Sequence, residues 1–179
     1  MVKKIRGIAI LLISLFFLVS CDLIKLPNEG VVLENYIDED VSTMAISDLE
    51  NTEHFRNGAL EHILEGELNG RGQAVGFHYD GLPTKKGQII SGTETEPNDQ
   101  GVYEAKIEIN GVAKTSNGGK SSFFPDQWTA QEVIDAINEA YEDRSFITGN
   151  TYEGLTSEGV LISMYLDQNE QIISAFPIY

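Results

Sequence analysis

The stretch YEAKIEINGVAKT, residues 103–115, indicates the fold most directly. Apolar side chains at the odd positions from Tyr103 to Ile109 alternate with polar side chains at the even positions, which is the period of a half-buried strand. Asn110-Gly111 follows as the favoured two-residue turn and leads into a second run, 112–115. The stretch predicts a β-hairpin with one face on the core.

A helix and a second hairpin are predicted on the C-terminal side. Thr129 and Glu132 have the spacing of a capping box, and an apolar stripe at helical spacing follows from Val133 to Tyr141. Beyond the helix, the apolar runs 160–166 and 171–177 flank a turn-forming segment, Asp-Gln-Asn-Glu. The chain therefore closes with antiparallel strands.

The N-terminal side adds a short helix and further strands. The helix spans the apolar positions from Leu60 to Leu64, with Gly66 as a stop. Strands are predicted over 74–79 and 88–91, with a polar loop over 92–101. The fold class is α+β, with N-terminal helices followed by antiparallel β-sheet hairpins.

The first twenty residues have the pattern of a signal peptide. Three basic residues precede an apolar run, 8–19, that is short for a bilayer span. Leu18-Val19-Ser20-Cys21 resembles the bacterial lipobox, in which the cysteine receives diacylglycerol. The expectation is lipidation at Cys21 and anchoring to the extracytoplasmic face of the bacterial cell membrane. The alternative is an uncleaved anchor with an incidental cysteine.

Charge and cysteine content restrict the mature chain. Without residues 1–20 it has nine basic and twenty-eight acidic residues, a formal charge of −19, which opposes nonspecific attraction to phosphate backbones. Any nucleic-acid activity therefore needs a local site. Cys21 is the only cysteine, so no intramolecular disulfide forms. Residues 21–50 are predicted to be an acidic tether and residues 51–179 a folded domain.

Motifs for cofactor chemistry are missing from the sequence. His54, His62 and His78 do not have the spacing of a zinc site, and there is no P-loop, Rossmann fingerprint or Gly-x-Ser-x-Gly elbow. No cofactor is expected, although the sequence leaves a dependence on manganese open.

Four short motifs in a fixed order carry a family resemblance. They are Glu61-His62 with Gly66, then Gly76-Phe77-His78, then Lys120-Ser121-Ser122-Phe123-Phe124-Pro125 with Trp128, and Ser174-Ala175-Phe176-Pro177. In this order they resemble the bacterial EndoU ribonuclease family, including the C-terminal toxin domains of polymorphic toxins. The similarity runs from about Arg56 to the C-terminus. It implies an EndoU-like, ribonuclease A-like fold.

The resemblance implies cleavage of single-stranded RNA, often beside uridine, by attack of the ribose 2′-hydroxyl. The products are a 2′,3′-cyclic phosphate and a 5′-hydroxyl. His62 and His78 are then the acid–base pair and Lys120 the oxyanion stabiliser, with Lys114 as a rival to Lys120. The resemblance favours His62 as base and His78 as acid, while the residues alone leave that choice open.

Further residues are assigned by the same resemblance. Glu61 and Glu67 are expected to orient or bias the protonation of His62. Ser174 corresponds to a hydroxyl that contacts phosphate or base. Phe176 stands where the family commonly has tyrosine, so it can stack on a nucleobase but donates no hydrogen bond, which puts uridine preference in doubt.

Two hypotheses of different classes follow. The first is a membrane-tethered endoribonuclease, a toxin or an enzyme for extracellular RNA. Its partners are single-stranded RNA, the membrane through the lipid and an immunity protein, and DNA is not expected. The alternative is a noncatalytic surface lipoprotein binding module with the same fold. A third reading, an immunity protein, fits the charge but not the motifs.

Overall fold

A computed structural model describes residues 45–83 and 86–179. Cys21, the predicted signal peptide and most of the predicted tether lie outside these ranges. The fold is α+β, and its sheets are antiparallel, which confirms the predicted fold class. Within the described ranges no helix has the length and apolar character needed to cross a membrane.

The N-terminal part of the fold is a small helical layer with a two-stranded sheet. A 3₁₀ helix, Ile46–Asp48, precedes α1, Ala59–Leu64. β1, Glu67–Leu68, then pairs with β2, Ala74–Val75. Leu49 is buried, and residues 50 and 51 bond to the long helix described below, so the folded part includes residues ahead of 51.

The second sheet is organised around its longest strand. β3 pairs with one edge of β4, whereas β5 and β6 follow one another along the other edge. Asn110 and Gly111 have φ values of 49° and 78°, which confirms the predicted two-residue turn. The strands are β3, Gly87–Ile89; β4, Tyr103–Ile109; β5, Val112–Ala113; and β6, Lys120–Phe123.

The third sheet lies at the C-terminus and packs against the long helix α2, Ala130–Glu142. The predicted capping box is present, because the Thr129 hydroxyl accepts from the Glu132 amide while the Glu132 carboxylate accepts from the Thr129 amide. The strands run in the order β10-β9-β8-β7. They are β7, Ser145–Thr148; β8, Thr151–Leu155; β9, Leu161–Leu166; and β10, Ile172–Pro177.

Two apolar clusters fill the space between these elements. The larger lies among α1, α2 and the C-terminal sheet and includes Ile63, Ile137 and Met164. The smaller lies on the second sheet, where the ring of Phe77 meets that of Phe123 edge-on at 5.3 Å between centroids. The chain between these clusters carries the candidate site.

Sequence periodicity missed or extended several elements. The strand expected over 74–79 ends at Val75, because Gly76 and Phe77 both adopt positive φ. β6, β7 and β8 were not predicted, whereas α2 lies between the second and third sheets, where the sequence placed it. The N-terminal helix and the two predicted hairpins are confirmed.

Candidate active site

His62 and His78 are held together by main-chain hydrogen bonds. His62 lies in the last turn of α1, and the segment after β2 runs back across the end of that helix. The Phe77 amide donates to the His62 carbonyl at 3.0 Å, and the His78 amide donates to the Ile63 carbonyl at 2.7 Å. These bonds fix the two histidine backbones independently of side-chain motion.

The close approach of these segments requires glycine at position 76. Gly76 has φ of +74°, and a Cβ atom there would lie 2.0 Å from the His62 carbonyl oxygen. Phe77 also has positive φ, at 63°, a conformation that costs a side-chain-bearing residue about 1–2 kcal/mol. Its ring is 1% exposed, and burial of the ring offsets this cost. The strained turn thus delivers His78 to the site.

His78 is buried and has a defined tautomer when neutral. Its Nδ1 lies 2.8 Å from the Ser122 carbonyl oxygen, which only accepts, so Nδ1 is protonated and Nε2 carries the lone pair. Burial, with the nearby positive charge of Lys114 as the second cause, lowers the pKa of His78 to about 3. The bond to Ser122 acts in the opposite direction but is outweighed. His78 is therefore neutral at pH 7 in the free chain.

His62 has a different partner. Its Nδ1 lies 3.0 Å from Oε1 of Glu67 on β1, and its side chain is 18% exposed. The carboxylate only accepts, so the His62 Nδ1 is protonated and Nε2 is left for chemistry. The two histidines thus share a tautomer but differ in electrostatic surroundings.

Lys114 supplies a buried positive charge near His78. It follows β5, is 9% exposed, and its Nζ donates to Ser121 Oγ at 2.8 Å. Ser121 Oγ in turn donates to the Gly76 carbonyl at 2.9 Å, in the turn that positions His78. Burial lowers the pKa of Lys114 to about 8, which leaves the ammonium charged at pH 7. Lys114 is thereby connected to the backbone of the turn at residues 76–77.

Lys120 lies on β6, on the opposite face of that strand from Ser121. Successive side chains on β6 alternate between faces, and Lys120 is adjacent to Ser121. Its Nζ pairs with Oε2 of Glu104 on β4 at 2.9 Å, and both side chains are about one-third exposed. The expected role of Lys120 stays a prediction, and its surroundings are those of a surface ion pair.

The C-terminal strand brings an aromatic ring to His78. The Phe176 ring on β10 stacks with the imidazole at 5.3 Å between centroids, with an interplanar angle of 24°. Ser174, two residues earlier, is 5% exposed and lies opposite Tyr165 of β9. The site therefore combines α1, the strained turn, β6 and β10.

Comparison with known proteins identifies the family of the chain. The model of the family described as "Bacterial EndoU nuclease" matches residues 56–179. The chain belongs to this family. A protein named "Toxin" from Bacillus cereus is 53% identical over 146 residues, which cover 82% of this chain and 27% of that protein. The chain thus spans about a quarter of the length of this relative. No solved structure matches.

The structure brings some of the predicted residues of this EndoU domain together and leaves others apart. Glu67 pairs with His62, the backbones of His62 and His78 are adjacent, and Phe176 stacks on His78, whereas Lys120 pairs with Glu104. Glu61 is exposed on α1, and Cys21 is outside the described residues. In the described part of the chain no group of three or more His, Cys, Asp or Glu is arranged to hold a metal ion.

Sequence reasoning did not predict several contacts of this candidate site. The Ser121 side chain and the Ser122 carbonyl, which hold Lys114 and His78, had no recognisable signal beyond their place in the Ser-Ser-Phe-Phe-Pro motif. The contact of Lys114 with Ser121 depends on which face of β6 meets the turn at residues 76–77. That face follows only from the pairing of β4 with β6.

Proposed function

We propose that this chain is an endoribonuclease that cleaves single-stranded RNA by transphosphorylation. The 2′-oxygen bonds to phosphorus, the bond from phosphorus to O5′ breaks, and a 2′,3′-cyclic phosphate and a 5′-hydroxyl result. One proton leaves the 2′-hydroxyl and another is delivered to O5′. The observation that carries the proposal is that the buried His78 imidazole, the His62 imidazole paired with Glu67 and the buried Lys114 ammonium are linked by hydrogen bonds around the turn at residues 76–77.

His78 is the general base in this proposal, and His62 is the general acid. The neutral His78 has its Nδ1 proton bound to Ser122, so Nε2 is an acceptor ready for the 2′-proton. Glu67 accepts from Nδ1 of His62 and so orients Nε2 of that ring for proton donation to O5′. A bound phosphate brings negative charge beside His78 and raises its pKa toward neutrality, where a base is most effective. These roles reverse the order that the family resemblance favoured.

Lys114 is the cation that stabilises the phosphorane. It is buried, charged at pH 7 and close enough to His78 to affect the pKa of that imidazole. An ammonium in a water-poor site stabilises developing oxyanion charge more strongly than an exposed one. The charge of Lys120, by contrast, is already balanced by Glu104 at the surface.

The surroundings in which the enzyme acts are also part of the proposal. The lipobox and Cys21 indicate a lipid anchor on the extracytoplasmic face of a bacterial membrane. A relative is named as a toxin, so a toxin with an immunity partner fits both features. Labelling of cells with a fatty-acid analogue tests the anchor: incorporation into the native chain and none after Cys21→Ser is expected, whereas a soluble unlabelled chain would exclude it.

The decisive experiment is cleavage of a labelled RNA by the purified full chain in EDTA. Cyclic-phosphate ends are expected, with loss of cutting after either His62→Ala or His78→Ala. His54→Ala is the matched control, because that ring stacks on Tyr141 rather than joining the site. Absence of cutting by the folded native chain, with or without manganese, would leave a binding module as the better explanation.

The acid and base roles of the two histidines are distinguished with an RNA that carries sulfur in place of the 5′-oxygen at the cleavage position. A thiolate leaves without protonation, since thiols are far more acidic than alcohols. The variant His62→Ala is therefore expected to cut this substrate at nearly the native rate, while His78→Ala stays inactive. Rescue of His78→Ala instead would assign the roles in the opposite order.

A further inference from the structure

Tyr165 stands out on the C-terminal sheet because it is a large, exposed aromatic ring beside the candidate site. Its strand neighbours Met164 and Leu166 point into the core and are buried, whereas Tyr165 is 39% exposed on the other face. The core therefore does not require an aromatic ring at this position. Nothing assigned so far uses this side chain.

A row of rings connects Tyr165 to the base. The imidazole of His78 stacks on Phe176 at 5.3 Å, and Phe176 meets Tyr165 at 5.8 Å with a tilt of 55°. Register places Tyr165 opposite Ser174 on β10 and opposite Thr151 on β8, all on one face of the sheet. Phe176 is thus held between two rings, and Tyr165 is the one that presents open surface.

The position of Phe176 limits what its ring can bind. One face of the phenyl group is already stacked on the imidazole. A nucleobase that entered beside His78 would meet Tyr165 as the next available aromatic surface. Every base has a π-face, so stacking on tyrosine gives affinity without demanding one base.

We propose that Tyr165 is the stacking platform for one nucleobase of the substrate. This base belongs to the ribonucleotide whose 2′-hydroxyl attacks the adjacent phosphorus. This rests on the proposed function, because it is the base role of His78 that places this nucleotide on the Phe176 side. Tyr165 is a substrate-positioning residue and takes no part in proton transfer. Phe176 then holds the imidazole in place, and substrate stacking falls to its neighbour.

The test measures kcat and KM for RNA oligonucleotides with a single ribonucleotide in a 2′-deoxy background. Tyr165→Ala is expected to lower kcat/KM by about 5- to 150-fold, mainly through KM, as the loss of one base–aromatic stack predicts. Tyr165→Phe is expected to stay within about threefold of native, since the ring is kept. Phe146→Ala is the matched control, because that ring is 62% exposed at the far edge of the same sheet.

An abasic substrate ties the effect to one nucleotide. Removing the base at the cleaved ribonucleotide should penalise the native chain by the same factor and add little to Tyr165→Ala, since both changes remove the same stack. Removing the next base on the leaving-group side should penalise both chains equally. The proposal would be overturned if base removal at the cleaved ribonucleotide penalised Tyr165→Ala by the same factor as the native chain.

Loss of folding and failure of the proposed function have separate signatures. Tyr165→Leu keeps apolar bulk without a ring. A raised KM in that variant, with an unchanged urea midpoint, therefore indicates lost stacking rather than lost structure. Native KM in Tyr165→Leu would refute the platform. If the native chain cuts no RNA, or cuts it equally well after His78→Ala, the proposed function fails first and the platform with it.

Discussion

Acidification from pH 7 to pH 4 is expected to destabilise the folded chain through His78. The pKa of this imidazole is about 3 in the folded chain, mainly because of burial, whereas histidine in an unfolded chain titrates near 6.5. The unfolded chain therefore takes up the proton first. The stability contributed by neutral His78 is fully present above pH 6.5 and is lost as pH falls toward 3.

The size of the effect follows from the pH interval. Each pH unit between the two pKa values costs about 1.4 kcal/mol, so the loss by pH 4 is about 3 kcal/mol. This is a large part of the 5–15 kcal/mol that is typical for a folded domain. Twenty-eight acidic residues titrate over the same range, so a chain with the same carboxylates is needed for comparison.

The matched variant is His78→Gln, whose amide can still donate to the Ser122 carbonyl but does not titrate. Urea unfolding of both chains is followed at pH 7 and pH 4 by the fluorescence of Trp128, the only tryptophan. The native chain is expected to lose about 3 kcal/mol more than the variant over this interval.

A direct titration provides the refutation. The chain has three histidines, so the ring signals in proton NMR can be assigned by single substitutions. The His78 signal is expected not to titrate above about pH 4, in line with its low pKa. A midpoint near 6.5, or equal losses of stability in the two chains, would show that His78 is not held neutral by burial, and its assignment as the base would lose its support.

Three further predictions concern the lysines and the histidine turn. Lys114→Met is expected to lower kcat by about 100- to 1,000-fold, because it removes an oxyanion donor. Lys120→Met breaks only an exposed ion pair and should change kcat by less than about threefold. Equal losses of RNA cleavage in the two variants would contradict this prediction. The pKa of Lys114 is lowered to about 8 in the folded chain, so the folded chain loses that proton before the unfolded chain does as pH rises. Between pH 8 and pH 9.5 the free energy of unfolding in urea should therefore rise by up to about 2 kcal/mol in the native chain relative to Lys114→Met. Gly76→Ala places a Cβ 2.0 Å from the His62 carbonyl oxygen and should lower both the urea midpoint and kcat, while Gly72→Ala, with a similar φ of +72° but open space around it, should affect stability by only about 1–2 kcal/mol and leave kcat near native.

Local patterns were sufficient for the elements whose stability is local. The capping box at Thr129 and the Asn110-Gly111 turn were both read correctly, because a cap and a tight turn are satisfied by residues a few positions apart. The alternation over 103–109 likewise gave the buried face of β4. β7 and β8 were missed although Gly149-Asn150 separates them, since the side chains of β7 are all exposed and show no alternation.

The turn at the site illustrates why a strand prediction failed there. Residues 74–79 have the apolar and aromatic composition of a strand, and composition alone does not reveal that Phe77 adopts positive φ. The conformation is stabilised by burial against Phe123 and by hydrogen bonds to the end of α1, all of which are tertiary contacts. A local propensity scale contains none of these terms.

The sequence by itself, through the family resemblance of its motifs, predicted that His62, His78 and Glu67 belong to one site, and the structure brings these three residues together. Only the tertiary structure decided the electrostatics of His78: which lysine is buried beside it, which of its ring nitrogens carries the proton, and that burial keeps it neutral. Those properties depend on desolvation and on distances between residues far apart in the chain. They exist only once β4 and β6 are paired and the strained turn is closed against α1.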